Sequence, residues 1–298
     1  MNESKSIFLT LSGRTNAGKS TLLNALIGEK IASVSSKPQT TRTRITGILT
    51  REDTQFVFID TPGLHKPKNK LSTHMLKTAQ DSATESDVVL YVIDCTKKLH
   101  EQDEAMLKAI TEKKISCIII INKIDLLKDK SAMMPLMLRL ENAYHPYAII
   151  PVSAENHDGI EEILTTASEL AKPSVHFFPD DKFTDQPEQI LAAEMIREKL
   201  LRLLNDEVPH GIAVTIESMK ERQDKDILDI SAVIFCERDS HKGIIIGKNG
   251  SMLKKIASSA RHELENFFQI QVNLKCFVKV KEDWRNKEGL IRSFGLSE

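Results

Sequence analysis

Cysteine is scarce: four in 298 residues, Cys95, Cys117, Cys236 and Cys276. Their scatter leaves no metal-ligand spacing, which excludes a cysteine-built metal centre; buried, reduced thiols of a cytosolic protein are expected. An excess of charge is also lacking. Lys and Arg number 41 against 42 Asp and Glu, a formal net charge of −1, so the overall balance carries no sign of nucleic-acid binding. No apolar stretch approaches the roughly 20 residues of a membrane span, although a peripheral membrane association stays open. The N-terminus is polar and charged, unlike a signal peptide. Internal repeats and low-complexity segments are missing too. What remains is a chain long enough for two domains with substantial cores.

Four short motifs follow one another in the first half. Gly13-Arg14-Thr15-Asn16-Ala17-Gly18-Lys19-Ser20, continued by Thr21, fits the phosphate-loop pattern G-x-x-x-x-G-K-[ST]. A nucleoside triphosphate brings about four negative charges, and successive backbone N–H groups curled around them supply donors without side-chain bulk. Gly13 and Gly18 permit the curl. A helix starting near Lys19 points its positive end at the phosphates. Lys19 then reaches the β- and γ-phosphates, and the Ser20 hydroxyl ligates Mg²⁺. The context agrees: 6–12 reads as a buried strand, and 19–26 has helical apolar spacing closed by Gly28.

Asp60-Thr61-Pro62-Gly63 follows a strand at 55–59. A carboxylate at a strand end holds Mg²⁺ through water. Gly63 leaves a backbone N–H free to approach a γ-phosphate, and loss of that contact lets the following loop relax. The four residues alone read equally well as an ordinary turn; their place after the phosphate loop favours the nucleotide. Asn122-Lys123-Ile124-Asp125 ends the apolar run 115–121. Asp125 matches the donor pair of guanine, N1–H and the 2-amino group. Adenine would leave that carboxylate unpaired and buried, a rejection of roughly 10⁴-fold. Lys123 lays its stem along the base and Asn122 ties loops together. Ser153-Ala154, after a short strand at 148–152, offers the Ala154 N–H to guanine O6. The set points to GTP binding and hydrolysis.

Strands and helices alternate from 6 to 171, which predicts an α/β domain, a mostly parallel sheet with helices on both faces. Further strands are expected at 44–50 and 87–94. Helices are expected at 71–82, 101–111, 131–144 and 158–171, with Asp158 as N-cap of the last and Met133, Met134 and Met137 as packing residues of the third. The segment 172–186, with Pro173, Pro179 and Asp180-Asp181, loses periodicity and reads as a linker. A smaller α+β domain follows: a helix at 187–204, strands at 211–220 and 226–237, Gly247-Lys248-Asn249-Gly250, a helix at 251–267 and a strand at 272–281.

A Gly-x-x-Gly loop alone is a weak signal. Here it follows Ile244-Ile245-Ile246, a candidate hydrophobic platform, and precedes a helix starting with Lys254 and Lys255. Gly247 and Gly250 let the backbone approach nucleic-acid phosphates, and Lys248 and Asn249 sit at the apex. Aromatic residues are sparse, so backbone clamping and edge hydrogen bonds are expected to dominate over stacking. By itself this stretch also reads as a solvated basic face.

The chain resembles the Era-like P-loop GTPases of bacteria, which carry a C-terminal type II KH domain. Besides the motifs above, the resemblance rests on Gln39-Thr40-Thr41-Arg42 as switch I and Asp60-Thr61-Pro62-Gly63-Leu64-His65 as switch II. It continues in Ala193-Glu194-Met195-Ile196-Arg197-Glu198-Lys199-Leu200, Ile246-Gly247-Lys248-Asn249-Gly250, Val278-Lys279-Val280-Lys281 and Trp284. It implies a GTPase domain at 1–172, a linker at 173–186, a KH domain at 187–282 with a short helix before its Gly-x-x-Gly loop, and a C-terminal segment at 283–298 touching the GTPase half.

The resemblance also implies GTP and GDP as ligands, with Mg²⁺ on Ser20, Asp60 and Thr41, the last preferred to Thr40. Hydrolysis would then rest on Lys19, Thr41 and Gly63. Asn16 would help to bind K⁺ beside the phosphates. Leu64 stands where many GTPases place a water-orienting glutamine, so slow intrinsic turnover is expected. The implied partners are the 3′ region of 16S rRNA and the 30S subunit, for a cytoplasmic monomer with room for peripheral association at the inner membrane. The competing reading is a signalling switch whose second domain binds protein or membrane.

Overall fold

The computed structural model describes residues 4–35, 37, 40–63, 69–205 and 208–296. Chain contacts divide it into two units: Met1–Ala32, Thr41–Lys66 and Met75–Asp185 form the first, and Ser33–Thr40, Pro67–His74 and Gln186–Glu298 the second.

The first unit alternates strand and helix: β1 (Lys5–Ser12), α1 (Lys19–Ile27), β2 (Ile45–Arg51), β3 (Thr54–Asp60), α2 (Lys70–Glu85, whose first turn groups with the second unit), β4 (Val88–Asp94), α3 (Glu101–Glu112), β5 (Ser116–Asn122), α4 (Met134–Tyr144), β6 (Ala148–Pro151), α5 (Ile160–Glu169) and β7 (Lys172–Pro173). The strand order is β2-β3-β1-β4-β5-β6, with β7 beside β1; the β3, β1, β4, β5 and β6 pairings are parallel, whereas β2 and β7 are antiparallel. Every residue of β3 and β4 is buried, as expected of strands covered on both faces. With β3 and β4 on opposite sides of β1, connections leave the sheet in opposite directions there. That crevice at the carboxyl ends of the strands is where such sheets bind ligands.

Three local expectations change. Asp158 does not cap α5. Its backbone is taken by a two-way pairing with Ser153 at 3.0 Å, and Gly159 at φ 80° starts the helix. A Cβ at Gly159 would stand 2.7 Å from Pro151 O, so the tight return admits only glycine. The helix expected over 131–144 opens as a 3₁₀ turn, Lys130–Met133, before α4. That break buries Met133 and turns Met134 outward, 55% exposed.

The 173–185 stretch, expected to be a linker, runs along the sheet. Buried Gln55 uses its whole side-chain amide on it, accepting from Phe177 N (2.8 Å) and Phe178 N (3.0 Å) and donating to Phe178 O (2.9 Å). Phe177 packs edge-on against Phe8, and Phe183 O accepts from Ile48 N. His176 sits between Asp180 Oδ1 (2.7 Å) and Asp53 O (3.2 Å). Both partners only accept, so the two bonds together require the imidazolium. Burial lowers the His176 pKa, but these partners outweigh it and raise the value.

The second unit contains α6 (Glu188–Leu203), β8 (Ala213–Glu221), β9 (Ile227–Cys236), α7 (Asp239–Ile246), a 3₁₀ turn (Lys248–Gly250), α8 (Ser251–Phe268), β10 (Gln271–Val280) and α9 (Glu288–Ser293). Its sheet runs β10-β9-β8, parallel then antiparallel. This is the helix, strand, strand, helix, helix, strand order of the type II KH arrangement. Met195, Ile196 and Leu200 of α6 meet Ile256, Ala260 and Leu264 of α8 over Ile230, Ala232 and Ile234. The Ile244-Ile245-Ile246 run is helical, so only Ile245 enters the core, and Ile244 is 50% exposed.

The C-terminal segment packs on its own unit. Trp284 is fully buried and donates Nε1–H to Gly211 O at 2.9 Å. Phe294 stacks on Phe235 with centroids 4.6 Å apart, and Arg285 grips Glu237 with two hydrogen bonds. The four cysteines are free thiols, with Cys95 and Cys276 only half-buried. Burial pushes the Cys117 thiol up to about 12. Among the described residues no helix is long and apolar enough to cross a membrane.

Candidate functional site

The β1–α1 connection carries its glycines where a side chain cannot go. Gly13 has φ 136°, and a Cβ there would lie 2.3 Å from Val92 O. Gly18 has φ 98° and caps α1; a Cβ there would meet Asn122 Nδ2 at 2.2 Å. The loop is thus wedged between β4 and the end of β5, and Asn122 locks it by donating Nδ2–H to Ala17 O at 3.0 Å. Asn16 completes the curl at φ 64°, and Gly63 lies against the backbone of Thr15.

Lys19 is buried and donates Nζ–H to Gly13 O (3.0 Å) and Arg14 O (3.1 Å), which aims the ammonium into the loop. Burial lowers its pKa, against the opposing pull of Asp60 and Asp103. Asp60, at the end of β3, is fully buried; burial raises its pKa, countered by Lys19, Ser20, Thr41 and Thr61. Each ion is held at a cost that a polyanion and a cation would relieve.

Ser20 from α1, Thr41 from the stretch before β2, and Asp60 from β3 converge. Ser20 Oγ lies 2.8 Å from Thr41 Oγ1 and donates to Asp60 Oδ2 at 2.7 Å; Thr41 Oγ1 donates to the same oxygen at 3.1 Å. Asp60 Oδ1 is buried without a hydrogen-bond partner. One orphaned carboxylate oxygen beside two hydroxyls makes a hard-oxygen set that fits Mg²⁺. Thr40 is placed otherwise: its Oγ1 donates to Lys37 O at 2.7 Å. Thr61 donates its hydroxyl to Leu11 O at 2.8 Å and so ties the strand ends together.

At the ends of β5 and β6, Asn122 Oδ1 accepts from Lys123 N (2.8 Å) and Ala154 N (3.1 Å). The Ala154 N–H, expected to meet a guanine oxygen, is therefore engaged by Asn122. Lys123, at φ 69°, reaches Asn16 O and Asp94 Oδ2, both at 2.7 Å. Asp125 receives Ser153 Oγ–H at 2.6 Å, but the residue is exposed rather than buried. Discrimination against adenine therefore needs the bound base itself to close over the carboxylate.

Sequence reasoning missed Asp94. Burial opposes its ionisation, but hydrogen bonds from Lys123 and Thr96 outweigh that and hold its pKa below the usual carboxylate range. The available signal was an acidic residue closing β4 at the same sheet edge as Asp60 and Asn122. Leu64, His65 and Gln39 lie outside the described residues.

In the second unit, Gly247 (φ 71°) and Gly250 (φ 79°) flank Lys248 and Asn249, which are both exposed, with Asn249 at φ 52°. A Cβ at Gly247 would stand 2.7 Å from the Met252 Cβ, whereas nothing lies near one at Gly250. Lys254 and Lys255 are exposed in the first turn of α8. Chain direction and charge thus gather backbone N–H groups and three ammonium groups at one turn, an arrangement suited to phosphates.

Comparison with known proteins agrees with both sites. The family described as 50S ribosome-binding GTPase matches residues 8–123, and the KH domain family matches 207–285. GTPase Era of Clostridioides difficile is 47% identical, covering 99% of each chain. GTPase Era of Ruminiclostridium cellulolyticum is 45% identical over 98% of this chain and 97% of its own. A crystal structure of a substituted Aquifex aeolicus Era bound to GDP and aluminium fluoride superposes with a TM-score of 0.95 at 36% identity, covering 99% of this chain and 100% of that one. A structure of Era with MgGDPNP and nucleotides 1506–1542 of 16S ribosomal RNA matches equally well. The chain belongs to the Era family, GTPases that carry a KH domain behind their nucleotide-binding domain.

Proposed function

We propose that this GTPase is a switch that binds Mg²⁺–GTP at the β1–α1 loop and single-stranded RNA from the 3′ region of 16S rRNA at the Gly247–Gly250 loop, and that it acts in 30S subunit assembly in the cytoplasm. One observation carries the reading: the chain builds two separate glycine-curved, lysine-flanked cradles for phosphate, one at each fold's loop-to-helix junction. The RNA bound by a related Era supports the choice of ligand.

In this reading Gly13 to Thr21 wrap the phosphates, and Asn122, Lys123, Asp125, Ser153 and Ala154 hold the base. Ser20, Thr41 and Asp60 hold Mg²⁺, which supplies neutralising charge at the phosphates. Lys19 stabilises charge on the leaving phosphates, and Gly63 brings its N–H towards the γ-phosphate. Asn16 adds a K⁺ ligand. That last assignment predicts faster GTP turnover in potassium than in sodium buffer; equal rates would remove K⁺ from the site.

The RNA assignment is tested by Gly247→Asp combined with Gly250→Asp. Two carboxylates would replace the phosphate cradle with repulsion. Each lost phosphate contact weakens binding, so the affinity of a short single-stranded RNA should fall by at least about tenfold. GTP turnover without RNA should stay within about twofold, because nucleotide contacts are untouched. RNA affinity that survives the double change would favour the alternative, a second domain that docks on protein or membrane.

A further inference from the structure

Helix α6 contains three consecutive charged residues, Arg197, Glu198 and Lys199, that are 2%, 0% and 7% exposed. Buried charges persist only where partners compensate them, so the partners disclose what each charge does. Lys199 pairs with Glu263 of α8, inside the KH core. Arg197 and Glu198 instead grip residues 33–40, the chain between α1 and β2, which groups with the second unit.

Glu198 Oε2 accepts from Val34 N at 2.9 Å, and Arg202 donates to Val34 O at 3.1 and 3.2 Å. Ser33 Oγ donates to Glu194 O at 2.9 Å. The Arg197 guanidinium is squared by two bonds to Glu194, Nε to Oε1 at 2.8 Å and Nη2 to Oε2 at 2.5 Å, and Nη2 also donates to Thr40 O.

The Thr40 carbonyl and the Thr41 N and Cα belong to one planar peptide unit. At one edge of that plane stands Arg197. From its other end rises the Thr41 hydroxyl that meets Ser20 and Asp60. We infer that Arg197 is a positioning residue for Thr41: by fixing the Thr40 carbonyl, it makes metal binding in the triphosphate state depend on α6 of the KH domain. The inference rests on the assignment of Thr41 to Mg²⁺ above. Arginine suits the role because its rigid fork can serve a carboxylate and a carbonyl at once, which lysine's single ammonium does poorly.

The test uses the full chain and the Mg²⁺ concentration needed for half-maximal binding of a fluorescent, non-hydrolysable GTP analogue, with GDP in parallel. Arg197→Gln is expected to raise that midpoint by at least about fivefold for the analogue. The GDP midpoint and the thermal unfolding temperature of the GDP form should stay near wild type, and Arg197→Lys should recover part of the shift. The turnover number for GTP should fall while the KM stays close to its original value.

Thr41→Ala serves as the reference. If it leaves the analogue midpoint unchanged, the metal assignment of Thr41 fails, and this inference with it. If it shifts the midpoint while folded Arg197→Gln does not, the inference alone is overturned. Should Arg197→Gln fail to fold, Glu194→Gln, which loosens the guanidinium without emptying its slot, must show a shift in the same direction; no shift there also overturns it.

Discussion

Asp125→Asn is expected to lower GTP affinity by about 10²- to 10³-fold, since a hydrogen bond to a charged acceptor is lost and a donor is turned on donors. Ser153 Oγ donates to Asp125 Oδ1 at 2.6 Å, which fixes the side chain's rotation. In the variant the amide oxygen keeps Ser153, and the NH₂ group faces the base. Guanine presents donors there and is repelled. Xanthine presents N1–H and a C2 carbonyl, which the amide complements, so xanthosine triphosphate should bind more tightly to the variant than GTP does. Competition binding with GTP, ATP and xanthosine triphosphate checks this. Undiminished GTP affinity would remove Asp125 from the base site.

Lys19→Met should cut GTP turnover by about 10³-fold, the scale seen when one preorganised donor to a developing charge is removed. The ammonium is buried and held by two loop carbonyls, Gly13 O and Arg14 O. Methionine fills the slot but leaves both carbonyls unpaired and facing the phosphates. It also strips Asp60 of its nearest positive charge, so the Asp60 pKa, already raised by burial, should rise further. Nucleotide affinity should fall with turnover, because the lysine contacts the ground-state phosphates as well. Single-turnover hydrolysis together with GDP binding separates the two effects. Turnover within tenfold of wild type would show that the charge comes from elsewhere.

The nucleotide motifs were legible because the constraint on them is local. Gly13 and Gly18 need φ values that only glycine accepts readily, and Asp60 and Asn122 close apolar strands whose ends must lie at one edge. Asp94 obeys the same logic but stands in no motif, since its partner Lys123 comes from another strand's end. The 173–185 stretch looked structureless because its bonds are to Gln55, Ile48 and Thr46, far away in sequence. The buried charges of α6 were invisible for a similar reason. Arg197 and Glu198 sit in a helix whose second side is covered by residues more than 150 positions earlier, and no helical periodicity reports that. Asp158 misled because capping preference ignores backbone demands, which here put glycine at 159.

Coupling between nucleotide and RNA is the account's central claim. Its most direct measurement is the affinity of the wild-type chain for a short single-stranded RNA copying the 3′ region of 16S rRNA, loaded in turn with GDP and a non-hydrolysable GTP analogue in Mg²⁺. The account predicts tighter binding in the triphosphate form by at least about fivefold, the usual lower scale of coupling between sites. Equal affinity in both forms, or none in either, would contradict it.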